Sequence, residues 1–126
     1  MNTTTEASWN KLNENFSVSG QINPEDIPAI AAAGYKSIIC NRPDGEGGEA
    51  QPTSDALKIA AEAAGLQFSY LPVVIGGVNA EKREAFQQLL KTLPEPVFAF
   101  CGSGKRATAL YAVDESTQIP LPEQDT

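Results

Sequence analysis

From residue 16 onward, hydrophobic positions fall into short apolar runs separated by stretches of helical spacing. Residues 16–21 predict a short strand. Asn23-Pro24-Glu25-Asp26 is a helix-start signal, and the helix it opens runs through Ile27, Ile30 and Ala31 to Gly34. Pro28 sets the first regular turn of that helix. Lys36-Ser37-Ile38-Ile39-Cys40 reads as a strand, followed by a loop over residues 41–53 with three glycines, two prolines and three acids. A loop of that length is usually functional or disordered. Ser54 is the expected cap of the next helix, whose Leu57, Ala60, Ala61 and Ala64 recur at i, i+3, i+4 and i+7 before Gly65 stops it. Residues 67–71 predict a strand and residues 72–78 an extended loop. Asn79 caps a third helix with Phe86, Leu89, Leu90 and Leu93 on one face. Pro94-Glu95-Pro96 breaks it, residues 97–101 form the next strand, and a last helix ends near Asp114.

Strands alternating with helices predict an α/β domain, with a mainly parallel four- to five-stranded sheet flanked by helices. The domain is expected at residues 16–115, between a polar arm at 1–15 and a loose polar tail at 116–126. Ligands of such sheets bind beyond the carboxyl ends of the strands. Cys40, Leu71 and Cys101 are those ends, and the loops 41–53, 72–78 and 102–105 would surround one site if the three strands are neighbours.

Composition narrows the chemistry. The chain has 126 residues, 41% of them hydrophobic, and a mean hydropathy of -0.24, as expected of one soluble domain with a modest core. No run approaches a membrane span, and residues 1–6 lack the features of a signal peptide, so a cytoplasmic location is the default expectation. A net charge of -7 argues against nucleic acid as the partner. The absence of histidine excludes Ser-His-Asp and Cys-His catalysis. With Cys40 and Cys101 as the two cysteines, neither a zinc cluster nor a secreted disulfide framework is expected, and no metal or organic cofactor is called for.

One segment brings a nucleophile and an anion site together: Cys101-Gly102-Ser103-Gly104-Lys105-Arg106. The thiol stands on a glycine-rich turn between a strand and a helix, where N–H dipoles and nearby cations favour the thiolate. Glycines 102 and 104 let successive N–H groups turn inward as an anion cradle. Ser103 can donate to the thiolate or a ligand, Lys105 adds positive charge, and Arg106 can offer a planar fork to an oxyanion.

With Gly34 before the strand at 37–40, Asn41-Arg42-Pro43-Asp44-Gly45-Glu46, Pro52-Thr53-Ser54 and Leu71-Pro72-Val73, this segment resembles the phosphatase-like family of the β-lactamase-hydrolase-like proteins. The resemblance covers about residues 16–111. It implies a fold similar to the dual-specificity phosphatases, with residues 97–101 in mid-sheet. It also implies a metallo-β-lactamase domain of the persulfide-dioxygenase type as a partner, since the two are sometimes fused.

Departures from tyrosine-phosphatase-like enzymes bear on mechanism. Those enzymes have Cys-x5-Arg preceded by histidine; here the spacing is Cys-x4-Arg, after Phe100. The shorter loop resembles that of rhodanese-like sulfurtransferases. Ala107 stands where those phosphatases carry a hydroxyl, and residues 72–78, which match their general-acid loop, hold no acid. A leaving alkoxide needs a proton donor, worth about 10²–10⁴-fold in rate, whereas a leaving thiolate does not. The family's loop usually has arginine directly after the cysteine; Gly102 replaces it, with one cation fewer.

In the loop after Cys40, either Asp44 or Glu46 can act as a substitute acid, or Glu46 can orient Arg106; the alternative is a solvated acidic loop with a plain turn at Asp44-Gly45. Arg42 either pairs with these acids, the favoured reading, or adds to the anion site. A resolving role for Cys40 would need disulfide geometry that adjacent parallel strands rarely offer, so a small buried hydrophobe is expected. Trp9 is expected to pack onto the domain. The favoured reaction is rhodanese-like sulfur transfer through a Cys101 persulfide, on a small anionic or persulfide substrate. The alternatives are a phosphatase working through a cysteinyl-phosphate and a non-catalytic module for an anion or phosphorylated partner.

Overall fold

The computed structural model describes residues 9–111. Five strands, β1 (Trp9–Asn13), β2 (Phe16–Ser19), β3 (Ser37–Cys40), β4 (Gln67–Tyr70) and β5 (Val97–Phe100), form one sheet in the order β1-β2-β5-β3-β4. Only the β1–β2 pair is antiparallel. The helices are α1 (Ile27–Ala32), α2 (Ser54–Ala63), α3 (Ala80–Thr92) and α4 (Lys105–Tyr111), with short 3-10 turns at Pro24–Asp26 and Gly48–Ala50. Among the described residues no helix is long and apolar enough to cross a membrane.

The strands at the centre of the sheet are apolar on both faces, as burial under helices on each side requires. Ile38, Cys40, Phe98 and Phe100 face Ile27 and Ile30 of α1 and Leu57 and Ala61 of α2. Phe16, Val18, Ile39, Val97 and Ala99 face Phe86 of α3 and Ala107 and Leu110 of α4. Phe98 and Phe100 have no exposed surface, and each contributes roughly 1.5–3 kcal/mol by burial. The mid-sheet position expected for residues 97–101 is the observed one.

Two expectations change. The polar arm drawn at residues 1–15 ends in a strand: Trp9–Asn13 pairs with β2, and the hairpin is fixed by the Asn15 amide donating to Asn13 Oδ1 at 2.7 Å. Its polar sequence suits an edge strand exposed to water, and Trp9 packs edge-on against Tyr35 and Phe98. The cap of α2 is Thr53, one residue before the expected Ser54, because Thr53 is extended and its Oγ1 accepts from the Ala56 amide at 3.1 Å. Asn79 caps α3 as expected, its Oδ1 accepting from the Lys82 amide. The end of α4 near Asp114 and the tail at 116–126 lie outside the described residues.

Candidate active site

The strands end flush. Ser19, Phe100, Cys40 and Tyr70 are in register across four neighbouring strands. The residues that follow them therefore stand in a row at the carboxyl edge: Gly20, Cys101, Asn41 and Leu71. The three loops picked out from the sequence do meet, and the segment after β2 joins them.

Cys101 is fully buried, and the Gly104 amide donates to its Sγ at 3.0 Å. A charge-assisted bond of this kind strengthens when the sulfur is anionic. The loop reaches this shape through Gly104, whose φ of +93° lies in the left-handed region, and through a close approach to β2. A Cβ on Gly20 would lie 3.0 Å from the Gly102 carbonyl, so glycine lets the two segments touch. Ser103 and Lys105 are exposed, and the Lys105 amide donates to Ser103 Oγ at 3.3 Å.

Arg106 is buried on the first turn of α4, with 4% exposure. Its Nη1 donates to Glu46 Oε2 and to the Val73 carbonyl, and its Nη2 to Glu46 Oε1, each at 2.8 Å. Burial opposes the guanidinium charge, but the Glu46 hydrogen bonds and the fields of Cys101 and Glu46 outweigh it and hold the group more firmly protonated than usual. Arg106 in turn, through its hydrogen bonds, holds the Glu46 carboxyl below its ordinary value, with Arg42 adding to the effect against burial. Glu46 is an ionised carboxylate gripped by two guanidinium groups, which suits the orienting role and not the acid role.

Arg42 donates through Nε to Glu46 Oε1 at 2.8 Å and through Nη1 to Gln21 Oε1 at 3.1 Å. It also borders the loop after Cys101. A Cβ on Gly102 would meet Arg106 Nη2 at 3.1 Å and Arg42 Nε at 3.3 Å. The space beside the loop that a larger residue 102 would need is thus occupied by Arg42, whose observed bonds are those of the favoured reading, pairing with the loop acid Glu46.

Asp44 serves the next helix. Its two carboxylate oxygens accept from the Ser54 amide at 2.7 Å and the Ser54 hydroxyl at 2.9 Å, and its amide donates to Tyr70 Oη. These bonds show a structural role and lend no support to the acid role considered for it: a carboxylate at a helix start satisfies free N–H groups and complements the helix dipole. Cys40 lies on the face of Phe98 and Phe100, whereas Cys101 leads into the loop that enters α4 on the opposite face. Both thiols are free. Burial pushes the Cys40 thiol up to about 12, so it stays protonated as a small core residue.

The sequence reading gave Asn41 no role of its own within the Asn41–Glu46 motif. Asn41 is fully buried and ties three segments together: its amide donates to the Phe100 carbonyl, its carbonyl accepts from Val73, and its Nδ2 donates to the Leu71 carbonyl at 2.8 Å. Its Oδ1 has no partner. The sequence signal was a polar residue at a strand end, which any loop entrance shows. Gln21 and the Val73 carbonyl were also missed; a backbone acceptor carries no signature in sequence. Among the described residues no group of three His, Cys, Asp or Glu side chains gathers as metal ligands would.

Residues 8–118 match the family model described as the phosphatase-like domain of the beta-lactamase hydrolase-like protein. The beta-lactamase hydrolase-like protein of Agrobacterium fabrum is 40% identical over 115 residues, which cover 91% of this chain and 26% of that protein. Its namesake from Xylella fastidiosa is 40% identical over 104 residues, 82% of this chain and 24% of that protein. The chain thus spans about a quarter of these curated relatives. A crystal structure from Neisseria meningitidis, described as a "putative phosphatase", superposes with a TM-score of 0.75 at 38% identity, covering 80% of this chain and 71% of that one. A Shewanella putrefaciens structure described in the same words covers 94% and 78% with a TM-score of 0.73 at 19% identity, which shows the fold alone.

Proposed function

Because the chain belongs to the phosphatase-like domain family of the beta-lactamase hydrolase-like proteins, we propose that it is a cysteine-dependent enzyme that carries a small group on Cys101, and that the group is sulfane sulfur. The observation that carries the choice of group is the state of the two candidate acids. Asp44 is engaged at the start of α2, Glu46 is held ionised by Arg106 and Arg42, and residues 72–78 carry no acid. A site so arranged favours a leaving group that departs without a proton.

The reaction balances without a cofactor. Cys101 thiolate attacks the outer sulfur of thiosulfate, the S–S bond breaks, and sulfite leaves with the electron pair. With an organic persulfide the leaving group is a thiolate instead. The product is a Cys101 persulfide, whose outer sulfur an acceptor thiolate or cyanide then takes, returning the Cys101 thiolate. The loop amides and Arg106 would stabilise the negative charge on substrate and persulfide. Cys101 has no exposed surface in the structure, so engagement requires the residues covering it to move aside.

The second reading is a phosphatase forming a cysteinyl-phosphate, and the description of the Neisseria meningitidis structure favours it. On that reading Arg106 and the loop amides bind the phosphoryl group, and the alkoxide takes its proton from water. One preparation separates the two. After exposure to thiosulfate or glutathione persulfide, the sulfur reading expects a mass gain of about 32 Da, one sulfur atom, lost in Cys101→Ser and discharged by cyanide as thiocyanate. Turnover of an aryl phosphate with no sulfur adduct would replace this reading with the phosphatase.

A further inference from the structure

Five large hydrophobic side chains are exposed among the described residues, and three of them come from one short stretch at the carboxyl end of β4: Tyr70 at 41%, Val74 at 61% and Ile75 at 59%. Val74, Ile75, Gly76 and Gly77 form a tight turn. It is closed by the Gly77 amide donating to the Val74 carbonyl at 2.8 Å, and Gly76 supplies the positive φ of +81° at its third position. The turn leaves Val74 and Ile75 facing water.

The turn is anchored to the anion site through Val73, whose side chain is buried in the core. The Val73 amide donates to the Asn41 carbonyl at 3.0 Å and its carbonyl accepts from Arg106 Nη1 at 2.8 Å. With standard backbone dimensions, the Val74 Cα then lies within about 6 Å of that guanidinium nitrogen. No charged residue occurs from Leu71 to Val78, whereas the catalytic loop presents exposed Ser103 and Lys105. Exposed apolar groups clustered beside a binding site mark the part of the site that meets apolar ligand surface.

We propose that Val74 and Ile75 form an apolar lip that selects substrates carrying a short alkyl or aryl group next to their terminal anion. The proposal rests on the reading of the Cys101 loop and Arg106 as the anion site. The head of the substrate binds there while its hydrocarbon part lies on the lip. Organic persulfides, thiosulfonates and monoesters share this chemistry; inorganic thiosulfate lacks the apolar part.

The test is binding of n-alkylsulfonates from methyl to hexyl to the full chain, by calorimetry, with inorganic sulfate as the reference. In the wild type, affinity is expected to rise about two- to fourfold per methylene over the first few carbons. In Val74→Ser/Ile75→Ser the slope should vanish while sulfate binding stays the same. Both positions are exposed, and an unchanged thermal melt shows that the variant is folded. A flat series in the wild type, or a slope that survives in the variant, overturns the lip while leaving the anion site intact. Failure of sulfate and of every sulfonate to bind overturns the anion site and the lip together. Because these ligands transfer nothing, the result does not depend on whether sulfur or a phosphoryl group is the natural cargo.

Discussion

Glu46→Gln tests the part of the site on which the geometry depends most. The wild-type carboxylate accepts three bonds of 2.8 Å, one from Arg42 and two from Arg106. Glutamine keeps the shape, removes the charge, and turns an amide NH2 toward guanidinium N–H groups. Breaking a buried ion pair from one side costs 3–5 kcal/mol because the remaining charge is stranded. Glu46 retains 19% exposure, which lets water screen part of that loss, so about 2–3 kcal/mol is expected at neutral pH. That is a large share of the roughly 5–15 kcal/mol that stabilises a domain. The loss should depend on pH in a defined direction. The folded-state value of Glu46 lies below 4.5, so the unfolded chain binds its proton first. The stabilisation is fully present above about 4.5 and is lost as pH falls through the lower folded value. Urea denaturation of both proteins at pH 7 and at successively lower pH measures this. The curves should stand apart at pH 7 and converge in acid. Equal stability at pH 7, or a gap that does not narrow in acid, would refute the claim that Glu46 is an ionised partner of Arg106.

Four further changes probe the rest of the site. Asp44→Ala should lower stability by about 1 kcal/mol through loss of bonding at the start of α2, with the rate of group transfer from an aryl or sulfur donor unchanged; a collapse in rate with stability intact would restore Asp44 as an acid. Gly104→Ala should cost about 1–2 kcal/mol because φ is +93°, and a pulled-away amide at Cys101 should lower the rate at saturating substrate. Asn41→Ala leaves the Leu71 carbonyl without its donor, at about 1–3 kcal/mol, and should weaken anion binding by loosening Val73 behind Arg106; a denaturant series with sulfate titrations would read both. For Cys40, the folded value of about 12 lies above the ordinary 9.0, so its stabilisation is complete below pH 9 and fades toward pH 12. The stability difference between wild type and Cys40→Ala should therefore narrow over that range, and a constant difference would contradict burial as the cause.

Much of this molecule was legible along the chain. The strands β3, β4 and β5 announce themselves by β-branched and aromatic runs bounded by turn residues, and α2 and α3 by apolar spacing between a cap and a breaker. These are local signals, set by backbone and side-chain preferences within a few residues. Cys101, the glycines after it and Arg106 were visible for the same reason, since thiol, turn and cation lie within six positions. The strand β1 was not, because a polar edge strand is defined by its partner β2 and not by its own pattern. The loop at residues 41–53 offered two acids of equal standing, and nothing local ranks them. Folding did so: Asp44 met the Ser54 hydroxyl and amide, and Glu46 met a guanidinium 60 residues away. Local signals were therefore enough for the fold class and for singling out Cys101 and the loop after it as the candidate site. Tertiary structure alone decided which carboxylate holds the arginine, that Arg42 lies against Gly102, and that Asn41 and the Val73 carbonyl brace the site. Those choices depend on the flush register of four strands, which brings distant loops within hydrogen-bond reach.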